Sequence, residues 1–228
     1  MRVLSTLGVM LIVLAGAAPS ARAQTGAADE LYHIQFAKAA PGKVTALIDA
    51  ELKAPPDADN PEPALIFRHS QGDDWQLMIV SPRGKEETLR VEPQNPAMQQ
   101  YVSQMRGLSV RHGDTFTEGP PWAEAKKVLL GDGAPGAVWI VTTFEPLPGH
   151  RDQLLSALKG GDDAAATLVL QHREGAPWQV LTITRYASWA ALGQAMSQRS
   201  TSATPPPTAE HIGAHHDTIV ELVPRPAQ

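Results

Sequence analysis

Residues 65–80 read LIFRHSQGDDWQLMIV, and residues 168–183 read LVLQHREGAPWQVLTI. At an offset of 103 positions the two stretches share Leu65/Leu168, His69/His172, Gly72/Gly175, Trp75/Trp178 and Gln76/Gln179. Similarity at one fixed offset is the sequence signature of a repeated structural unit. Each stretch also places two apolar runs around a glycine-containing turn, which predicts a β-hairpin.

The similarity continues outward from the hairpins. HGDTFTE, from His112, matches HHDTIVE, from His215, at the same offset. YHIQFAKAAPGK, from Tyr32, matches WIVTTFEPLPGH, from Trp139, at an offset of 107, and both contain a Pro-Gly turn. Three matching blocks in one order predict a duplicated domain. We place the first repeat at residues 31–121, a linker at 122–136 and the second repeat at 137–224.

Each repeat follows the order strand, helix, strand, strand, helix, strand. In the first repeat, apolar residues recur at helical spacing from Val44 to Leu52 and again from Met98 to Met105. Strands are predicted before the first helix, in the hairpin and at the end of the repeat. We therefore predict an α+β fold, in which two tandem ferredoxin-like βαββαβ units pack their antiparallel sheets face to face as a barrel.

The register of the hairpin decides which side chains face the barrel. We place His69 opposite Trp75 in the hairpin. One face of the hairpin is then almost wholly apolar and should pack against the helices; it consists of Leu65, Phe67, His69, Trp75, Leu77 and Ile79. The other face then mixes apolar and polar groups, namely Ile66, Arg68, Gln76, Met78 and Val80, and in the second repeat Val169, Gln171, Gln179, Leu181 and Ile183. Such a face is typical of two sheets that enclose a partly polar cavity.

Composition and the N-terminus limit the class of protein. The chain has 228 residues, no cysteine and a formal net charge of −5. The lack of cysteine excludes disulfide scaffolds, Cys-ligated metal centres and thiol nucleophiles, and the negative charge argues against a nucleic-acid partner. Residues 1–23 combine a basic start, a short apolar run and an Ala-Arg-Ala cleavage pattern, which predicts a secretory signal peptide. We expect an exported protein, periplasmic or secreted, with a flexible segment at 24–30, a tail at 225–228 and no stable membrane anchor.

Two ferredoxin-like units with facing sheets resemble the dimeric α+β barrel superfamily, here as a tandem single-chain version. The resemblance covers about residues 31–223 and implies a ligand site between sheet and helices or inside the barrel. Known members include cofactor-independent monooxygenases, haem-degrading enzymes and stress-responsive barrel proteins. The haem-degrading branch uses an Asn on its first strand and a His on its second helix, and this chain has neither. We therefore expect no cofactor.

Polar side chains of the mixed face are the candidates for ligand binding. If Tyr32, Ile34 and Phe36 point into the core, the candidate residues are His33, Gln35, Arg68, Gln76, Gln171 and Gln179. The forked donors of Arg68 would hold an anionic or carbonyl-bearing ligand. The alternative is that Arg68 lies on a solvated edge strand.

Two histidines, His69 and His172, each precede a tryptophan, Trp75 or Trp178, by six residues. As a functional pair, the imidazoles would act as bases or ligand contacts. As a structural pair, they would pack on the indoles at the end of each hairpin, with a ring N–H donating to a backbone group of the turn. We favour the structural interpretation, because repeated residues in a duplicated fold are more often packing groups.

A cluster near the C-terminus has the composition of a metal site. It consists of His211, His215, His216 and Asp217. On a helix His211 and His215 would share a face, but the stretch follows a triple proline and runs into a strand. We assign no metal site there.

These observations favour an exported protein that binds a small, partly apolar molecule in the barrel, without catalysis. The alternatives are a cofactor-independent monooxygenase-like enzyme acting on an aromatic or quinol substrate, and a structural or partner-binding module. No catalytic residue is assigned, since the sequence lacks a phosphate-binding loop, a G-x-S-x-G elbow and an H-E-x-x-H helix. We expect a monomer or a weak homodimer.

Overall fold

The structure, a computed structural model, describes residues 29–55, 62–85, 96–131, 135–161 and 166–225. Its strands are β1 Glu30–Ala39, β2 Leu65–Gln71, β3 Leu77–Gly84, β4 Ser109–Gly119, β5 Val138–Pro146, β6 Thr167–Glu174, β7 Val180–Tyr186 and β8 Ile212–Leu222. Its helices are α1 Val44–Leu52, α2 Pro96–Arg106, α3 Trp122–Leu130, α4 Arg151–Gly160 and α5 Trp189–Thr201, and a short 3₁₀ helix, Ala209–His211, precedes β8. The predicted signal peptide lies outside the described residues.

The eight strands form one closed antiparallel barrel in the order β1-β3-β2-β8-β5-β7-β6-β4. Each repeat contributes four strands, and two ladders join the repeats. In the first, β2 pairs with β8 from Phe67 opposite Leu222 to Gln71 opposite Ile219. In the second, β4 pairs with β6. We call these two ladders the inter-repeat seams. The predicted α+β fold of two βαββαβ units is confirmed.

Large apolar side chains fill the space inside the barrel. Every strand except β4 contributes to this buried cluster, and β4 adds the buried threonines Thr115 and Thr117. The barrel members are Tyr32, Ile34, Phe67, Met78, Val80, Trp139, Val141, Leu168, Leu170, Leu181, Ile183 and Val220. Removal of this apolar surface from water is the main driving force for closing the barrel.

The register predicted for the first hairpin is wrong by one residue. Leu65 lies opposite Val80 and Phe67 opposite Met78, while the amide of His69 donates to the carbonyl of Gln76 at 2.8 Å. Phe67 and Met78 therefore share the inner face, and Ile66, Leu77 and Ile79 share the outer face beneath α1. The second hairpin follows the same rule, with Leu170 and Leu181 inside and Val169 and Val180 in an outer cluster.

The hydrophobic pattern could not detect this error, because both faces of each hairpin are buried. One face packs in the barrel and the other packs under a helix, so both read as apolar along the strand. A one-residue slip exchanges the two faces completely, and only the turn geometry distinguishes the alternatives.

The segment that joins the repeats is more ordered than the predicted linker. Residues 122–130 form α3, whose side chains Trp122, Ala125 and Leu129 belong to the barrel cluster. The helix is fixed at both ends: the Glu30 carboxylate accepts a hydrogen bond from the Trp122 amide at 2.9 Å, and the Trp139 indole donates to the Leu129 carbonyl at 3.0 Å. The spacing of the three buried residues was the signal for this helix.

Each hairpin turn lies directly on the last strand of the other repeat. Gly72 has a φ of +128°, and a Cβ placed there would lie 2.6 Å from the Asp217 carbonyl oxygen. Gly175 has a φ of +99°, and a Cβ there would lie 2.6 Å from the Asp114 carbonyl oxygen. Both positions thus require glycine for two separate reasons, the left-handed backbone and the close approach of another main chain.

We expect Gly72→Ala and Gly175→Ala to lower the free energy of unfolding by about 3 kcal/mol each, through backbone strain together with the steric clash. Gly42→Ala and Gly149→Ala are matched controls, because these glycines also have positive φ but face open space. They should cost about 1 kcal/mol. Urea denaturation of the four variants provides the measurement, and equal losses at all four positions would contradict the close contact.

Candidate functional site

The outer face of the first repeat carries a group of hydrogen-bonded polar side chains. The Nε2 of His33 on β1 donates to Oδ1 of Asp114 on β4 at 3.0 Å. The Nε2 of His112 lies 3.2 Å from the other carboxylate oxygen of Asp114. The hydrogen bond from His33 lowers the pKa of Asp114 below its ordinary value, so Asp114 stays ionised and orients the imidazole.

A carboxyl group is buried next to these residues. Glu51, on α1, is only 5% exposed, and its Oε2 accepts a hydrogen bond of 2.8 Å from the phenol of Tyr101 on α2. Its Oε1 is buried and has no hydrogen-bond partner. Burial raises the pKa of Glu51 above its ordinary value of 4.5, although the Tyr101 hydrogen bond acts in the opposite direction. Burial and the Glu51 charge also raise the pKa of Tyr101.

A groove of about 400 Å³ runs between α1 and α2. Tyr101 lines it, together with small and polar residues of both helices and of the segment after α1: Ala46, Asp49, Ala50, Lys53, Pro55, Ala97, Gln100 and Gln104. The alanines leave the space between the helices open, and every residue of α2 keeps part of its surface exposed. We call this feature the α1–α2 groove.

One phenol therefore connects the groove to a buried acid. Tyr101 both lines the groove and donates to Glu51, and the charges of Asp114 and His33 act on the pKa of Glu51. A concave surface with a perturbed titratable group behind it is the usual form of a binding or catalytic site. The arrangement can accept a proton from a molecule bound in the groove.

The second repeat lacks some of these polar side chains. At the offset of 107 that relates the first strands and helices, Ile140 stands in the place of His33 and Leu158 in the place of Glu51. Asp217, the counterpart of Asp114, instead accepts a 2.6 Å hydrogen bond from Thr142. Only one of the two repeats thus carries the candidate site.

The structure does not gather the predicted ligand-binding residues inside the barrel. His33 and Gln35 lie on the outer face of β1, because Tyr32 and Ile34 point inward. Arg68 is exposed on the outer face of β2, opposite Glu221. The side chain of Gln76 bonds to the Ala39 amide and the Asp74 carbonyl at the hairpin turn. Gln171 and Gln179 lie in the second repeat, half-buried and exposed respectively.

The repeated histidines contact their tryptophans. The ring centroids of His69 and Trp75 are 5.7 Å apart, and those of His172 and Trp178 are 5.1 Å apart. The Nε2 of His172 accepts a hydrogen bond from the turn amide of Ala176 at 3.0 Å. The Nε2 of His69 is buried without a partner, and burial lowers the pKa of His69. Both histidines thus make the expected ring contact, but only His172 bonds to its turn, and there the ring nitrogen is the acceptor rather than the donor.

The histidines near the C-terminus are dispersed. His211 meets His150 of the β5–α4 turn, His215 stacks on Phe144, and His216 lies 3.8 Å from Asp73. Within the described ranges, no group of three or more His, Asp or Glu side chains is arranged to hold a metal ion.

Sequence reasoning missed Glu51, Tyr101 and Asp114. The signal for Glu51 was nonetheless present, because α1 places apolar residues at Val44, Leu47 and Ile48, and Glu51 occupies the next position of the same stripe. A carboxylate at a core position of an amphipathic helix, where the second repeat has Leu158, distinguishes the two repeats. In the sequence pattern, Tyr101 belongs to the apolar stripe of α2 and is not distinguished from its neighbours there.

Comparison with known proteins gives a result at the level of the fold. No family model and no curated protein matches the chain. Among solved structures, an anthrone oxidase-like protein matches with a TM-score of 0.55 at 13% identity, covering 86% of this chain and 91% of that one. A candidate monooxygenase from Lactobacillus acidophilus NCFM matches with a TM-score of 0.53 at 9% identity, covering 86% and 94%. Both belong to the dimeric α+β barrel superfamily. The protein therefore has the dimeric α+β barrel fold in tandem form, with both ferredoxin-like units in one polypeptide.

Proposed function

We propose that the first repeat binds a small, partly apolar molecule in the α1–α2 groove, outside the barrel. The observation that carries this proposal is the double role of Tyr101, which lines the groove and donates a hydrogen bond to the buried Glu51. The barrel interior, where the sequence suggested a ligand, is occupied by aromatic and aliphatic side chains.

The lining of the groove suits a flat molecule with an apolar body and polar edges. Ala46, Ala50 and Ala97 provide small apolar contacts, while Lys53 and Gln100 provide hydrogen-bond donors. The volume of about 400 Å³ lies within the range of small-molecule sites. Because α2 keeps all its residues partly exposed, it can shift when a ligand enters without exposing a buried side chain of its own.

A second candidate function is cofactor-independent monooxygenation of a phenol or quinol in the same groove. Tyr101 would accept the substrate hydroxyl proton while passing its own proton to Glu51, which leaves an electron-rich phenolate. Molecular oxygen would then oxidise the ring, with one oxygen atom forming a carbonyl and the other forming water. The raised pKa of Glu51 suits it to hold this proton.

The solved structures named above support this second candidate only through the shared fold, since they are 9% and 13% identical to this chain.

A structural or partner-binding module has less support, because it would need a continuous exposed apolar patch. Among the residues that the structure describes, the exposed large apolar side chains lie on α2, β4, the β5–α4 turn and α5: Val102, Val110, Leu147, Trp189 and Met196.

We also propose that the protein is exported, on the basis of the N-terminal pattern in residues 1–23. In the described part of the chain, no helix combines the length and apolarity needed to cross a bilayer. Sequencing the N-terminus of the protein purified from its host should give Gln24 as the first residue. A mature chain that retains residues 1–23 would contradict export by this signal.

Filling the groove should abolish ligand retention. Ala46 is exposed on α1 within the groove, so Ala46→Trp should occupy the ligand space without disturbing the core. The matched control is Gln153→Trp, which changes the equivalent exposed residue of α4. We expect native mass spectrometry of protein purified from its host to show a bound small molecule in the wild type and in the control, and none in Ala46→Trp. Equal retention by both variants would exclude the groove.

The enzymatic candidate predicts turnover of phenols or quinols with consumption of oxygen. Tyr101→Phe and Glu51→Gln should each reduce kcat by about 100-fold, the usual effect of losing a general base. Tyr186→Phe, the same exchange in the second repeat, should leave the rate unchanged. An oxygen electrode with naphthols and hydroquinones measures this directly, and a wild-type protein that turns over none of them would contradict the enzymatic candidate.

The buried carboxyl also predicts a pH dependence of stability. The pKa of Glu51 is higher in the folded protein than in the unfolded chain, so protonated Glu51 favours folding. This contribution to the free energy of unfolding is complete below the unfolded-state pKa and is lost as the pH rises through the folded-state pKa. Glu51→Gln should therefore gain stability relative to the wild type as the pH rises above 4.5. Asp49→Asn, on the exposed face of α1, should show no such gain in thermal melts from acidic to neutral pH.

A further inference from the structure

Two histidines from distant parts of the second repeat face each other. The Nδ1 of His150, at the start of α4, lies 3.1 Å from the Nδ1 of His211, at the end of the 3₁₀ helix. Their ring centroids are 5.3 Å apart. Both are half-buried, and neither belongs to the candidate site of the first repeat.

Backbone hydrogen bonds fix the positions of the main-chain segments that carry the two histidines. The Leu147 amide donates to the His211 carbonyl at 3.0 Å, which ties the β5–α4 turn to the 3₁₀ helix. Within the turn, the His150 amide donates to Leu147, and the His150 carbonyl accepts from Leu154, both at 2.9 Å. The two main chains are therefore positioned before a ligand binds, which lowers the entropic cost of bringing the rings together.

We propose that His150 and His211 form a binding site for a divalent transition metal, with Cu²⁺ as the best fit. Two nitrogen ligands of a tetrahedral ion with bonds of 2.0–2.1 Å lie about 3.3 Å apart, and ligands at right angles lie closer together. The observed separation of 3.1 Å falls between these geometries. Imidazole is a preferred ligand of Cu²⁺, which binds more tightly than other divalent ions of its row.

The surroundings of His211 favour ligation through Nδ1. The Oε1 of Glu210 lies 3.6 Å from the Nε2 of His211, on the side of the ring away from His150. The negative charge of Glu210 on this side of the ring favours a proton on Nε2, which leaves Nδ1 available to bind a metal. The protein supplies two ligands, and water completes the coordination.

In the apo protein, one proton between the two Nδ1 atoms forms a hydrogen bond, and metal binding must displace it. A metal ion and a proton therefore compete for the same ring nitrogens. The charged groups near the pair are Glu210, beside His211, and Arg151 and Asp152, which bond to each other at the start of α4.

Copper titration of the full chain tests the proposal. The wild type should bind one equivalent of CuCl₂ at neutral pH, with an electron paramagnetic resonance spectrum that shows two imidazole nitrogens. His150→Asn and His211→Asn should each weaken the binding by at least tenfold, in line with the loss of a ligand. The double variant His215→Asn/His216→Asn, which removes two exposed histidines, should bind as the wild type does.

Several results would overturn the site. They are a wild type that binds no copper, retention of the same spectrum in His150→Asn and His211→Asn, or loss of binding only in the His215→Asn/His216→Asn control. Melting temperatures without metal show whether each variant is folded. Because the two ligands lie on separate segments, a folding defect in one variant leaves the other as a valid test.

Discussion

The structure depends on the contact between each hairpin turn and the last strand of the opposite repeat. Gly72 lies on the backbone of Asp217 and Thr218, and Gly175 lies on that of Asp114 and Thr115. Side chains reinforce both contacts, since the Thr115 hydroxyl donates to the Glu174 carbonyl at 2.7 Å and the Asp73 amide donates to Thr218 at 3.4 Å. These contacts align the two inter-repeat seams, which close the barrel over its apolar core.

The contact between the hairpin turns and the last strands also explains why the two repeats can share one fold although only the first carries the candidate site. The residues shared by both repeats, such as Gly72/Gly175 and Thr115/Thr218, maintain the barrel, whereas the outer face beneath the helices is free to diverge. Glu51 and His33 are present in only one repeat. The candidate site still depends on both repeats, because Asp114, which orients His33, lies beneath the turn of the second hairpin.

The fold could be predicted from the sequence because every sequence pattern that indicates a strand, turn or helix occurs once in each repeat. Two matching hairpins, two Pro-Gly turns and the helical spacing in α1 and α2 all agree with βαββαβ units. The register was not predictable, because Leu65 to Val80 is apolar on both faces and only the turn fixes the pairing. The site was not predictable either. Glu51 and Tyr101 lie 50 residues apart, and only the packing of α1 against α2 brings them together.

The central claim is that the two repeats form one cooperative unit through the inter-repeat seams. Native-state hydrogen exchange measures this most directly, because it reports the free energy of opening for each ladder. We predict that the amides of Glu221, which faces β2, and Glu118, which faces β6, exchange only through global unfolding. Their free energy of opening should equal that of Ile34 within the first repeat. Exchange of the seam amides about 100-fold faster, with Ile34 still protected, would show that the repeats separate as independent units and would contradict the account.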